Sequence, residues 1–346
     1  MLNGARLFVE PMRDARQVSI QMFLRADGLP SGIEQGGWRH LLEHLVAIGP
    51  DGTLDFKLES AGATLIANTL RTCTRFEIIG PPGAWTVMLE GLKSLLQPRS
   101  FTKEEIQREI ITLEQERMGL SQFDSAFERT LKHSVFGSKP GWELATPNGL
   151  SGLWRELWTG NRVVVVVTGP VKSAEVRETL EPMLSALSPG GEQPLPEMSH
   201  KPAPLESKAR ALAWTVPSWT TSAGLAKATA LRAVQIASPE MRLLLTPSST
   251  SLEACLAWLE PSWVTSVVGR VRQDPEGWAG QGLLGLQSFL ENSKQSPSAR
   301  GYLRGMLGLH GAGTSLDDVH RRAAALSIED VQAELEQVLD KLEEKE

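Results

Sequence analysis

Five valines in succession, Val163 to Val167, constrain the fold more than any other feature of this chain. A half-exposed strand alternates apolar and polar residues, whereas an unbroken β-branched run reads as a strand buried on both faces. Arg6 to Glu10 and Val18 to Leu24 read as further strands. The second puts Val18, Ile20, Met22 and Leu24 on one face, and Pro11 to Arg16 reads as a hairpin connection between the two. Thr64 to Ile79 reads as one long strand or a hairpin, ended by Gly80-Pro81-Pro82-Gly83. Helical patterns cover Trp38 to Ile48, Thr53 to Ser60, Trp85 to Leu96, the stretch opened by Phe101, Asp124 to Trp158 with a break at Gly137 to Gly141, and Ser173 to Leu187 with Ser173 as N-cap.

Between Ser188 and Pro204 stand Pro189, Pro194, Pro196, Pro202 and Pro204, the composition of a stiff, extended linker. The chain of 346 residues is long enough for two domains. The expected division is 1–188, a linker at 189–206, and 207–346. In the later part Ala211 to Val216 and Trp263 to Val271 read as strands. Trp278 to Asn292, Ser298 to Leu309 and Ser327 to Glu344 read as helices, the last capped by Ser327 with Asp330 three residues on. Leu225 to Ala237 and Leu252 to Leu259 leave their type open. His310 and His320 make no pair at ligand spacing, and Trp214, Trp219, Trp258, Trp263 and Trp278 read as core or cleft wall.

Hydrophobic content of 41% and charged content of 22% fit a soluble globular protein. A net charge of −6 gives no basic footprint for nucleic acid. No apolar run is long enough to span a bilayer. The N-terminal residues show no apolar signal core, so the expected compartment is the cytoplasm. Cys73 and Cys255 match no metal or redox spacing and read as buried thiols.

The chemistry concentrates at His40-Leu41-Leu42-Glu43-His44. On a helix His40 and His44 are one turn apart on the same face, with Glu43 on its flank and Trp38, Leu42 and Leu45 on the opposite arc. Two His at i and i+4 can hold one divalent ion, and a Glu beside them can take a proton from water. A solvated helix face can carry the same residues without function. Further on, Thr102 and Glu105 form a capping-box pattern, and Ile106, Ile110 and Leu113 make an apolar stripe. Glu109 and Glu116 lie seven residues apart on one flank of that stripe; either could be a third ligand, or both a charged helix surface. Glu104 and Glu114 face elsewhere. His133 stands alone and reads as structural.

His-x-x-Glu-His is the inverzincin motif. The order strand, hairpin, Gly-rich loop, motif helix, long Thr-rich strand and, some seventy residues on, Glu-bearing helix resembles the pitrilysin family of zinc metallopeptidases, which includes insulin-degrading enzyme and the mitochondrial processing peptidase. The resemblance covers Asn3 to about Leu187 well and the rest in outline. It implies an α+β fold of two related domains, mostly antiparallel sheets covered by helices, making one half of a clamshell. It implies a zinc endopeptidase with His40, His44 and Glu116 as ligands, Glu43 as general base and Glu109 as a supporting residue. Gly62-Ala63 is followed by Ile66-Ala67-Asn68-Thr69, where the family usually shows Asn-Ala-x-Thr: Thr69 fits and Ile66 takes the Asn position. In the family that strand is an edge on which peptide pairs by main-chain hydrogen bonds. A lone half leaves its active face open, which implies a dimer with itself or with a related, metal-free chain; the alternative is a catalytically silent subunit of the same fold.

Overall fold

The computed structural model describes residues 1–26, 37–131, 141–191, 209–247, 251–310 and 314–344. They form two compact units, each discontinuous in sequence. One comprises Met1–Gly119, Ser134–Glu197 and Ser293–Leu309; the other comprises Leu120–His133, Met198–Asn292 and His310–Glu346. A division at the Pro-rich segment does not anticipate that two short stretches, one from each side of it, join the opposite unit. Most of that segment, and His133, lie outside the described residues.

In chain order the elements are β1 (Arg6–Pro11), β2 (Val18–Arg25), α1 (Trp38–Ala47), α2 (Leu54–Ser60), β3 (Thr64–Thr69), β4 (Cys73–Gly80), α3 (Trp85–Leu96), α4 (Lys103–Met118), α5 (Gln122–Leu131), α6 (Pro147–Leu157), β5 (Val163–Gly169) and α7 (Ser173–Ser185). There follow β6 (Arg210–Pro217), α8 (Ser222–Ala237), β7 (Arg242–Pro247), β8 (Ser251–Trp258), α9 (Pro261–Gln273), α10 (Pro275–Gln295), α11 (Pro297–His310), α12 (Leu316–Ala324) and α13 (Ile328–Glu343).

The first sheet has the order β1-β5-β2-β4-β3. The valine run is β5, buried along its whole length. It lies parallel to β1, with Arg6 opposite Val164, and antiparallel to β2, with Ile20 opposite Val167. This corrects the expected hairpin: β1 and β2 do not pair, because β5 lies between them. A strand buried on both faces gains most from neighbours on both edges, and Pro11 to Arg16 steps across it. β3 and β4 do form a hairpin, Thr64 opposite Ile79 and Thr69 opposite Thr74, which leaves β3 as an edge of the sheet.

The alternation along β2 sorts its side chains. Val18, Ile20, Met22 and Leu24 join Leu41, Leu42 and Leu45 of α1 in one core. Ser19, Gln21 and Phe23 lie on the other face, where α11 approaches with glycines. A Cβ at Gly305 would run into the Phe23 ring, and one at Gly301 would sit 2.5 Å from Gln21 Nε2. That closeness lets Gln21 donate to the Ser298 carbonyl (2.8 Å) and Thr168 to that of Pro297 (2.7 Å). The buried Glu77 carboxylate accepts from Ser19 (2.7 Å), Ser298 (3.0 Å) and Arg75, as a buried charge must be paired or hydrogen-bonded.

In the second unit β6, β8 and β7 form an antiparallel sheet in that order. Trp263 to Val271 is helical, not a strand: Val264, Val267, Val268 and Val271 are buried at helix spacing in α9, so periodicity overrides β-branched propensity. β7 and α12 have no counterpart in the sequence reading. Ser327 and Asp330 form the expected capping box. Ser173 opens α7 but does not cap it; Lys172 holds the cap position without a side-chain bond. Cys73 and Cys255 are buried, and neither is in a disulfide. Among the described residues no helix is long and apolar enough to cross a membrane.

Candidate metal centre

The motif helix starts after Gly37, whose φ of 82° is one that glycine adopts cheaply. It ends at Gly49, φ 76°, with the Gly49 N–H on the Val46 carbonyl. The apolar arc of α1 anchors it in the core and leaves the histidine face towards α4. Two braces set the distance between these helices. Arg99 donates to the Leu45 carbonyl in the last turn of α1, and its other arm meets Glu105 Oε1 at 2.9 Å. Glu105 also closes the capping box with Thr102, so the guanidinium joins the end of one helix to the start of the other. At the opposite end Trp38 Nε1 donates to the Gly141 carbonyl (2.6 Å), and the adjacent Trp142 donates to Glu114 Oε1 (2.9 Å) on α4.

The result brings the expected residues together. His40, His44 and Glu116 each offer a ligand atom, and these lie within 4.8 Å of one another. His40 Nε2 is 3.3 Å from His44 Nε2 and 3.4 Å from Glu116 Oε2; His44 Nε2 is 3.5 Å from Glu116 Oε1. Zinc bonds of roughly 2.0–2.2 Å at tetrahedral angles put ligand atoms about 3.3–3.6 Å apart. Glu109 does not join the three. Its Oε2 faces His44 Nδ1 at 3.4 Å, which suits an Nδ1–H donor and leaves the His44 Nε2 lone pair towards His40 and Glu116. Three electron-rich atoms then converge on one point, an arrangement that a cation relieves. The donor set fits zinc: two imidazoles and a carboxylate, with Glu116 largely open on its outer side.

Burial, then the neighbouring His44 and Arg39, lowers the His40 pKa to about 3, so its ring is neutral and ligand-ready at ordinary pH. Burial pulls His44 down as well, but the Glu109 hydrogen bond and the charges of Glu43 and Glu116 outweigh it and leave His44 raised. Burial also raises the Glu43 carboxyl, against the opposing pull of the Thr69 side chain and His44. Glu43 Oε2 is buried without a hydrogen-bond partner. Thr69 sits at the end of the edge strand β3 and was not singled out as a site residue; its place in the Asn-Ala-x-Thr run was the available signal. Arg39 and Arg99 were missed altogether: Arg39 holds backbone carbonyls and Arg99 joins one such carbonyl to Glu105, contacts that sequence spacing does not reveal.

The His40 shift has a consequence for the metal-free chain. A lowered pKa means that the unfolded state takes up a proton near pH 6.5 and the folded state only near 3. Its stabilising contribution is therefore complete above about 6.5 and lost as pH falls through that window. The raised His44 acts above this window and the raised Glu43 opposes it within. Urea unfolding in chelator should show wild type losing more stability than His40→Gln between pH 6.5 and 5. Parallel losses in the two proteins would contradict the assignment.

No family model matches the sequence. The probable mitochondrial-processing peptidase subunit beta of Arabidopsis thaliana is 26% identical over 201 residues, 54% of this chain and 38% of that protein. The chain thus matches well under half the length of that relative. A protease from Helicobacter pylori has the same fold: TM-score 0.77, 13% identity, 97% of this chain and 94% of that one. So does a peptidase M16 inactive domain from Pseudomonas fluorescens: TM-score 0.72, 14% identity, 97% of this chain and 92% of that one. The sequence is similar to a pitrilysin-type relative over about half its length, and the fold is the one these M16-like structures have. The expected α+β fold, sheets covered by helices as in one M16 half, is the one observed. Fold alone does not decide the chemistry, since one neighbour is described as inactive. That question rests on the side chains at the motif helix.

Proposed function

We propose that the protein is a zinc-dependent endopeptidase acting on peptides or unfolded segments. The observation that carries this reading is the convergence of His40 Nε2, His44 Nε2 and the Glu116 carboxylate from two helices at spacings suited to one ion. His40, His44 and Glu116 would hold the metal, and Glu109 would orient His44. Bound there, zinc would lower the pKa of water and polarise a peptide carbonyl.

The chain's own groups do the rest. Glu43, with a free buried oxygen and a raised pKa, accepts the proton of the attacking water. The water oxygen bonds to the carbonyl carbon, the C–N bond breaks, and Glu43 returns the proton to the leaving nitrogen. β3, the edge strand of the sheet among the described residues, ends at Thr69 beside Glu43 and can receive an extended peptide through main-chain hydrogen bonds. We propose further that the active form is a pair of such halves, the partner being a second copy or a related chain. The Arabidopsis relative is itself described as a subunit.

One observation favours a second reading, a silent subunit of the same fold. Ile66, on β3, is 40% exposed where the family places Asn. The two readings separate in one experiment. A purified chain that cleaves an unstructured peptide, stops in chelator and recovers with zinc is the enzyme; a chain that holds zinc but cleaves nothing, alone or with its partner, is the silent subunit.

A further inference from the structure

We propose that Arg39 is a positioning residue that fixes the peptide-binding edge of the sheet to the metal-binding helix; the catalytic part of this inference rests on the reading just given. Arg39 stands in the first turn of α1, next to His40. A cation there opposes the helix dipole, and α1 has neither a side-chain N-cap nor an acidic residue in that turn to offset it. The geometry supplies the reason for it. Arg39 Nη1 donates to the carbonyls of Leu70 (2.6 Å) and Cys73 (2.9 Å), and Nη2 to that of Arg71 (3.1 Å). Nη1 also lies 3.4 Å from the Thr74 hydroxyl. The remaining carbonyl of the β3–β4 turn, Thr72, accepts from the Ala26 N–H at 2.8 Å.

All four carbonyls of the turn are therefore engaged, three of them by one guanidinium. Three carbonyl dipoles aimed at one point repel unless a cation holds them, and the planar fork of arginine suits that task better than an ammonium. The turn follows directly on Thr69, which sits beside Glu43. Arg39 thus fixes the edge strand relative to Glu43 from within the same helix, so the main-chain groups that would receive a peptide and the group that would move its proton share one frame. β4 is held by β2 along its length, whereas β3 has a strand neighbour on one side only, so its position depends on β4 and on the turn that Arg39 engages.

Hydrogen exchange and kinetics on the intact protein test this together. In Arg39→Met, amides of residues 64–80 should exchange about tenfold faster or more, with β2 and β5 unchanged. The KM for an extended peptide should rise about tenfold, more than kcat falls, with zinc content intact. Arg39→Lys, which keeps the charge but not the fork, should fall between the two in exchange and KM. Unchanged exchange in residues 64–80, or an acceleration spread evenly over the sheet, overturns the clamp. If Arg39→Met does not fold, Arg39→Lys decides: localised faster exchange supports the clamp and wild-type exchange overturns it. The exchange result stands whether or not the wild type cleaves peptide, so failure of the peptidase reading is distinguishable from failure of the clamp.

Discussion

Glu43→Gln retains zinc and loses cleavage by about 10²–10⁴-fold in kcat, the range for removing a positioned general base. The amide keeps the size and shape of the carboxylate but cannot accept the proton of water. His40, His44 and Glu116 are untouched, so metal stoichiometry is unchanged. The same substitution has an opposite effect on the metal-free fold. Burial raises the Glu43 pKa, so the carboxyl's contribution to stability is complete below its unfolded value and lost as pH rises through the folded one. At neutral pH the glutamine therefore removes a cost, and Glu43→Gln unfolds at higher urea than wild type in chelator. A variant that kept more than about a tenth of wild-type kcat would remove Glu43 from the role assigned to it.

Removing a ligand acts at a different step. His44→Ala deletes one converging nitrogen and leaves Glu109 facing a void, since His44 Nδ1 was 3.4 Å from its Oε2. Zinc affinity should fall by more than the 10–100-fold typical of an outer hydrogen-bond partner, and cleavage with it. The two glutamates of α4 then separate by rank. Glu116→Gln removes a charged ligand and should cost more affinity than Glu109→Gln, whose loss should stay within about 10–100-fold. Competition with a chromophoric chelator measures all three. The reverse order of Glu116 and Glu109 would exchange their roles.

Much of the site was readable because it is local. His40, Glu43 and His44 share one turn of helix, and helix geometry alone places them on neighbouring positions. Thr102 with Glu105 announced the start of α4 and hence the face that Glu109 and Glu116 share. Choosing between those two needed the family resemblance or the coordinates, since a seven-residue spacing puts both on one flank. What failed was non-local. β1 and β2 are neighbours in sequence, yet the partner of both is β5, some 150 residues away; a parallel pairing leaves no turn signal. Trp263 to Val271 misled through its valines, although Val264, Val267, Val268 and Val271 kept a helical period throughout. The seat of α11 on the first sheet depends on Gly301 and Gly305, which allow close approach, and nothing in a glycine names its partner. Arg39 belongs to the same class: its acceptors are carbonyls of Leu70, Arg71 and Cys73, and carbonyls are common to every residue.

The most direct measurement is the anomalous diffraction of a crystal grown with zinc. The account predicts one peak per chain, about 2.0–2.2 Å from His40 Nε2, His44 Nε2 and a Glu116 oxygen, with Glu109 on His44 Nδ1 and Glu43 beside an open coordination position. A peak elsewhere, or one bound by the histidines with the Glu116 carboxylate turned away, would contradict it.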